Sequence, residues 1–97
     1  PMKTYYVYIL KCKDDSYYVG ITSNLNQRLT EHNIGKHNDS YTYKRRPVEL
    51  VYYCEFTDVN YAISTEKQIK KWSRSKKEAL INNEFEKLHN LSRKKFS

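Results

Sequence analysis

The chain has 97 residues and carries 18 Lys and Arg against 11 Asp and Glu, which gives a formal net charge of +7. This length supports one domain with one hydrophobic core and excludes a second. No apolar run is long enough for a membrane span, and Cys12 and Cys54 lack the spacing of a metal site. The sequence predicts a small cytoplasmic protein with reduced thiols, no membrane association and no obligate protein partner. Its charge favours an anionic partner such as nucleic acid.

Two strands joined by a turn begin the predicted fold. Residues 5–12, YYVYILKC, are apolar or aromatic on both alternating faces, which is typical of an interior strand. The turn-forming DDS at 14–16 leads to a second strand, YYVGI, at 17–21, so the two strands form a hairpin. If the loop holds an odd number of residues, even-numbered positions of both strands share one face. The residues on that shared face are then Tyr6, Tyr8, Tyr18 and Gly20.

A capped helix follows over residues 23–35, SNLNQRLTEHNIG. Its candidate caps are Ser23 or Asn24 at the start and Gly35 at the end. Arg28 and His32 are four residues apart and flank the apolar stripe of this helix. Both side chains are therefore predicted on or beside its inward face.

The second half of the chain predicts a loop, a strand and two helices. Residues 36–47 are polar and turn-rich, and VELVYYCEF at 48–56 reads as a third strand. Asp58 or Asn60 is predicted to cap the next helix, and Ser75 with Glu78 to form the capping box of the last. The residues that the last helix is expected to bury are Leu80, Ile81, Phe85 and Leu88.

These elements predict an α+β fold with a small three-stranded antiparallel sheet flanked by helices. The domain is predicted at residues 2–84, and residues 85–97 are predicted to hold the end of the C-terminal helix and a basic tail. A tail of this composition is expected to fray.

One carboxylate interrupts the apolar stripe of the helix that follows the third strand. Glu66 lies in the middle of that stripe, whose expected members are Val59, Ala62, Ile63 and Ile69. Burying a carboxylate is costly unless an arginine, tyrosine hydroxyls or a divalent metal compensates. A structural salt bridge from Arg28 to Glu66 is one interpretation, and a functional site is the other.

Four motifs occur in a fixed order along the chain: YVY at 6–8, YVG at 18–20, QRLTEH at 27–32 and TEKQIK at 65–70. Together they resemble the GIY-YIG nuclease superfamily, and within it the short, stand-alone bacterial branch. The resemblance runs from about residue 4 to residue 82. It departs from the family at Tyr6, where the first triad often begins with glycine, and the gap between the two triads is slightly short.

The resemblance implies a divalent-metal-dependent endonuclease that hydrolyses phosphodiester bonds in DNA. It implies that Glu66 binds Mg²⁺ or Mn²⁺ and that Arg28 binds the phosphate. Tyr8, or His32 as the second choice, would remove a proton from the attacking water, and Tyr18 would orient that water or the phosphate. The form of the DNA, whether duplex, branched or single-stranded, stays open.

Basic side chains in the loop and at the junction of the last two helices are candidates for contacts to the DNA backbone. They are Lys44, Arg45, Arg46, Lys70, Lys71, Arg74, Lys76 and Lys77. Two other functions stay open: a nucleic-acid-binding module without catalysis, and a structural partner subunit. The buried carboxylate argues against both, because a pure binder gains nothing from an acid that faces an anionic backbone.

Overall fold

The computed structural model describes residues 3–84 and 87–88. The strands are β1 (Tyr5–Lys11), β2 (Tyr17–Thr22) and β3 (Glu49–Phe56), and the helices are α1 (Leu25–Ile34), α2 (Val59–Lys70) and α3 (Arg74–Ile81). The strands form one antiparallel sheet in the order β2-β1-β3. The predicted α+β fold with a three-stranded antiparallel sheet is therefore confirmed. Within the described residues, no helix has the length and apolar character needed to span a membrane.

The central strand β1 separates two apolar clusters. Val7 and Ile9 face the main core beneath α2 and α3, whereas Tyr8 and Leu10 face a smaller cluster beneath α1. All four side chains are almost completely buried. β1 is apolar on both faces because it is the central strand and helices cover both of its faces. The predicted interior strand is therefore confirmed.

The turn between β1 and β2 has the odd number of residues on which the predicted register depends. The N–H of Cys12 donates to the carbonyl of Ser16 at 2.9 Å, and Asp15 takes a left-handed conformation with φ 68°. These features are typical of a three-residue hairpin loop. Tyr8 consequently pairs with Gly20 across the sheet, and the predicted common face of even-numbered residues is confirmed.

In each of the first two helices, one of the two predicted N-cap candidates is confirmed, and so is the predicted end of α1 at Gly35. The side chain of Asn24 accepts a hydrogen bond from the N–H of Gln27 at 3.1 Å, and Gly35 ends α1 with φ 71°. Asp58 caps α2 by accepting from the N–H of Asn60 at 2.9 Å. Each cap satisfies backbone groups that the first or last helical turn leaves without a partner.

The predicted start and end of the last helix are wrong. Ser73 caps α3 by accepting from the N–H of Lys76 at 3.2 Å, because the chain leaves α2 at Lys70 and is extended at Ser73. Glu78 is therefore not part of a capping box with Ser75. The helix ends at Ile81, and Asn83 has φ 58°.

The burial predicted for the last helix is confirmed in part. Leu80 is buried, and Ile81 and Leu88 pack against the main core. Phe85 and residues 89–97 lie outside the described part of the chain. The proposed division into a domain at 2–84 and a tail at 85–97 therefore stays a prediction.

Two other expectations are corrected by the packing. Val59 and Ile63 are exposed, because α2 turns the row of Ala62, Glu66 and Ile69 toward the sheet. The loop predicted at 36–47 contains a short 3₁₀ helix, Tyr43–Arg45.

Gly20 is required by the tyrosine that lies across it. A Cβ atom at Gly20 would lie 2.9 Å from Cε1 of Tyr8, and closer still to Cζ and the hydroxyl oxygen. We expect Gly20→Ala to lower the free energy of unfolding by about 1–3 kcal/mol, because the buried ring has no space to move. In a Tyr8→Leu background the same substitution should cost much less. Urea unfolding measures both values, and an equal cost in the two backgrounds would contradict the contact.

Candidate active site

Three side chains from three segments form a hydrogen-bonded chain on the even-numbered face of the sheet. The hydroxyl of Tyr8 lies 3.0 Å from Nε2 of His32, and Nδ1 of His32 lies 2.8 Å from Oγ1 of Thr42. Tyr8 and Thr42 are each 1% exposed. The chain connects β1, α1 and the loop that follows α1, so the site depends on the packing of all three.

The surroundings of Tyr8 and His32 assign their protons. Burial raises the pKa of Tyr8, with a smaller contribution from Tyr18, and the nearby Arg28 guanidinium opposes the rise. Burial, followed by the positive charge of Arg28, lowers the pKa of His32. Tyr8 is therefore a neutral phenol at neutral pH and His32 a neutral imidazole. We assign the phenol proton to the hydrogen bond with Nε2, which accepts it, and the ring proton to Nδ1, which donates to Thr42.

Tyr18 lies at the centre of an aromatic cluster. Its ring centroid is 5.3 Å from that of His32 and 6.3 Å from that of Tyr8. Tyr41 stacks on Tyr18 at 6.1 Å, and the guanidinium of Arg45 lies 3.8 Å from the centroid of the Tyr41 ring. Tyr8, Tyr18 and the histidine of α1 thus lie together on one face of the sheet.

Arg28 brings a positive charge to this face. Its Nε lies 3.3 Å from the Glu31 carboxylate, which also pairs with Lys36 at 3.1 Å. The hydrogen bond from Lys36, followed by one from Gln27, lowers the pKa of Glu31. Glu31, which is not among the predicted site residues, therefore helps to orient Arg28.

Glu66 is buried as predicted, but its partner differs from the expected one. The residue is 9% exposed, and its carboxylate pairs with Nζ of Lys70 at 2.9 Å. Arg28 pairs with Glu31 instead, so the interpretation of Glu66 as the partner of Arg28 in a structural salt bridge is wrong. The charge of Glu66 makes the smallest contribution to the raised pKa of Tyr8.

The donor set around Glu66 limits the kind of metal that fits. No group of three or more His, Cys, Asp and Glu side chains capable of holding a metal ion occurs in the described residues. One carboxylate near tyrosine hydroxyls suits an oxygen-seeking ion that keeps most of its waters, as Mg²⁺ does. Such an ion would compete with Lys70 for the carboxylate. A zinc-type cage does not fit this arrangement.

The basic residues of the loop lie on one side of the β1–β2 turn. Arg45 pairs with Asp14 of the turn at 3.0 Å, and Arg46 lies over the ring of Tyr43. Lys44 is exposed. Ion pairing leaves Arg45 less available to a ligand than its sequence position suggests.

The basic residues of the α2–α3 junction lie on the other side of the same turn. Arg74 donates to the carbonyl of Asp15 at 2.6 Å and pairs with Glu78 at 3.4 Å. Lys76 lies over the ring of Trp72, Lys71 is exposed, and burial lowers the pKa of Lys77. The contacts of Arg45 and Arg74 with the hairpin turn thus bring one member of each predicted basic group to the same end of the sheet, while Lys70 belongs to the Glu66 pair.

Two residues of the site were missed from the sequence. Thr42 positions the His32 ring, and Tyr41 extends the aromatic cluster outward from Tyr18. Both lie in the turn-rich segment at 36–47, where no periodic pattern distinguishes a buried hydroxyl from an exposed one. The presence of two tyrosines in such a polar segment was the one available signal.

The fold and the ordered motifs are those of a known catalytic domain. A family model described as the GIY-YIG catalytic domain matches residues 4–79. The chain belongs to this family, whose superfamily is one of nuclease-type hydrolases. The predicted resemblance is confirmed.

Its relatives include UPF0213 proteins of bacteria. The UPF0213 protein of Syntrophus aciditrophicus is 46% identical over 80 residues, which are 82% of this chain and 92% of that protein. The solution structure of the UPF0213 protein BH0048 from Bacillus halodurans has a TM-score of 0.54 and 40% identity, over 81% of this chain and 83% of that one. The solution structure of EF2693 from E. faecalis has a TM-score of 0.60 and 36% identity, over 84% and 85% of the two chains.

The assigned tautomer of His32 predicts an NMR signature. We expect ring ¹⁵N shifts of the Nδ1–H form, which persist as the pH falls below 6.5, the ordinary pKa of histidine, because the folded pKa is lowered. Since the unfolded chain binds the proton first, stability should decline as the pH falls below 6.5. Tyr8→Phe removes the donor to Nε2 and should allow the Nε2–H form to appear. A wild-type spectrum of the Nε2–H form would contradict the assignment.

Proposed function

We propose that this chain is a divalent-metal-dependent endonuclease that hydrolyses phosphodiester bonds in DNA, and that it acts in the cytoplasm. The observation that supports this most is the buried hydrogen bond from Tyr8 to His32, with Arg28 and Glu66 acting on the same phenol. A phenol, an imidazole, a guanidinium and a carboxylate are groups that phosphodiester hydrolysis can use, and all four belong to the ordered motifs.

Arg28 is proposed to bind the scissile phosphate. A planar guanidinium offers paired donors to phosphate oxygens and stabilises the negative charge that develops on them. Glu31 engages the Nε side of Arg28, and a cleft of about 140 Å³ lies beside both residues. The ion pair limits the rotamers of Arg28 and so reduces the ordering needed when a phosphate arrives.

Tyr8 and His32 are proposed to carry the proton away from the attacking water. With a raised pKa, the phenol is a poor base by itself, so it must lose its own proton as it accepts one. Nε2 of His32 is 3.0 Å from the phenol oxygen and takes that proton, while Thr42 holds the opposite side of the ring. Tyr18 packs against both rings and is proposed to orient the water or the phosphate. Tyr8 and His32 thereby share the role of base.

Glu66 is the proposed ligand of Mg²⁺ or Mn²⁺. When bound there, the ion would supply positive charge to the phosphate oxygens and the leaving group. The carboxylate is already held in place by its burial and by Lys70. Lys70 is therefore assigned to the Glu66 pair, and the remaining basic residues beside the hairpin turn are proposed to contact the DNA backbone.

Glu66→Gln tests the proposed metal site. The substitution keeps the shape of the side chain and removes its charge, so we expect Mg²⁺-dependent DNA cleavage to be lost. The melting temperature should equal or exceed that of the wild type, because Lys70 is 51% exposed and its side chain can be solvated once the pair is lost. Plasmid nicking and thermal unfolding of one purified sample give both results.

Glu84→Gln is the matched control for that variant. Glu84 also forms an ion pair within a few residues, with Lys87 at 2.7 Å, and lies outside the proposed site. It should retain full activity. Full activity of Glu66→Gln would contradict the metal assignment. A wild-type protein that binds DNA but does not cleave it with Mg²⁺ or Mn²⁺ would favour a binding module without catalysis.

Tyr8→Phe and His32→Gln test the shared role of base. We expect each to lower the cleavage rate about a hundredfold or more, and the double variant to lose little beyond either single variant, because both residues move one proton. The wild-type rate should fall as the pH decreases through the lowered pKa of His32, below 6.5. Single-turnover rates against pH measure these effects. Unchanged turnover in Tyr8→Phe would assign the base to His32 alone.

A further inference from the structure

The even-numbered face of the sheet continues beyond the part that α1 covers, and there it forms a second cleft. This cleft has a volume of about 360 Å³ and is lined by Tyr6, Leu50, Tyr53, Glu55 and residues 23–26, which include the start of α1. The rings of Tyr6 and Tyr53 lie 6.1 Å apart at 60°, and Tyr53 is 50% exposed. Two aromatic faces and a carboxylate thus line a space large enough for a small planar ligand.

This aromatic cleft adjoins the proposed phosphate site. Ser23 and Asn24 line both the aromatic cleft and the smaller cleft beside Arg28. Along β1, Tyr6 is two residues from Tyr8 on the same face, a separation of about 7 Å. That distance is comparable to the spacing of neighbouring nucleotides in a stretched strand. A nucleotide next to the phosphate on Arg28 could therefore place its base in the aromatic cleft.

We propose that the aromatic cleft binds one unstacked nucleobase of the strand whose phosphate lies at Arg28, and that Glu55 selects a base with an exocyclic amino group. This rests on the proposed function and adds a base preference to it. Tyrosine rings stack on any base. A carboxylate accepts hydrogen bonds without donating any, so it suits the amino group of cytosine, adenine or guanine. It disfavours thymine, because the N3–H donor of thymine is flanked on both sides by carbonyl oxygens that repel the acid.

The charge of Glu55 decides which part of a nucleotide enters the cleft. An acid repels a phosphate, so the sugar-phosphate backbone is disfavoured there and a base is favoured. Other exposed tyrosines lack this setting. Tyr61, which is 65% exposed, packs against Phe56 and does not line this cleft. The cleft, with two tyrosines and a carboxylate, therefore differs from a single tyrosine that is exposed on a protein surface.

Binding of short, labelled oligodeoxycytidylate and oligodeoxyuridylate tests this inference in metal-free buffer at slightly alkaline pH. The two bases differ in the amino or carbonyl group at position 4 and in the neighbouring N3, which is an acceptor in cytosine and an N–H donor in uracil. We expect the wild type to bind the cytosine oligomer about fivefold to tenfold more tightly. Glu55→Gln should abolish the preference, because an amide both donates and accepts. Tyr53→Ala should weaken binding of both oligomers about tenfold, and Tyr6→Leu should weaken it independently.

Two control variants lie away from the cleft. Tyr61→Ala removes a ring that is more accessible than Tyr53, and Glu49→Gln removes an exposed carboxylate of β3 that lies opposite Lys11 in the strand register, on the other face of the sheet. Both should bind as the wild type does. Equal wild-type affinity for the two oligomers, or a preference that survives Glu55→Gln, would overturn the base selection. Unchanged affinity in both Tyr53→Ala and Tyr6→Leu would overturn the cleft as a binding site.

The absence of metal separates this inference from the proposed function. A protein that prefers the cytosine oligomer but cleaves no DNA when Mg²⁺ is added contradicts the nuclease proposal and supports the base site. A protein that cleaves DNA but binds both oligomers equally contradicts the base site and leaves the nuclease proposal intact.

Discussion

The hydrogen bond from the buried hydroxyl of Tyr8 to His32 is the interaction on which the even-numbered face depends. A hydroxyl left without a partner at that depth would cost about 1–3 kcal/mol, so α1 must present His32 at one position and angle. Thr42 satisfies the other ring nitrogen and thereby brings the following loop onto the same face. Gly20 has no side chain because the ring of Tyr8 fills its space. One phenol on the central strand therefore constrains a helix, a loop and the neighbouring strand.

The carboxylate of Glu66 is paired with the ammonium of Lys70 on the same helix. An arginine partner would have held the carboxylate in a bidentate pair that a metal displaces with difficulty. The ammonium of Lys70 is a point charge on a long, half-exposed side chain, so it stabilises the acid and can swing into solvent when another cation binds. The pair thus stabilises the acid in the folded protein, and another cation can still replace Lys70 as its partner.

Local signals in the sequence predicted much of the fold, whereas features set by tertiary packing were missed. Asn24 and Asp58 were found as caps because a cap is recognised within three or four residues. Ser73 was missed in favour of Ser75, since the choice depends on where α2 ends and two serines lie close together. Thr42 contacts a residue ten positions away across a loop, a contact that periodicity cannot reveal. The site was therefore predicted at its motif residues and missed where only packing supplies a partner.

The sheet order also determines when the site forms during folding. β1 and β2 are neighbours in sequence, so their hairpin can close within about 1–10 μs. Pairing of β1 with β3 must first close the long segment between Lys11 and Glu49, which is entropically slower. His32 and Thr42 both lie in that segment. A chain that has formed only its hairpin carries the Tyr8 phenol without its His32 partner, so the Tyr8–His32 hydrogen bond forms only when that segment packs onto the sheet.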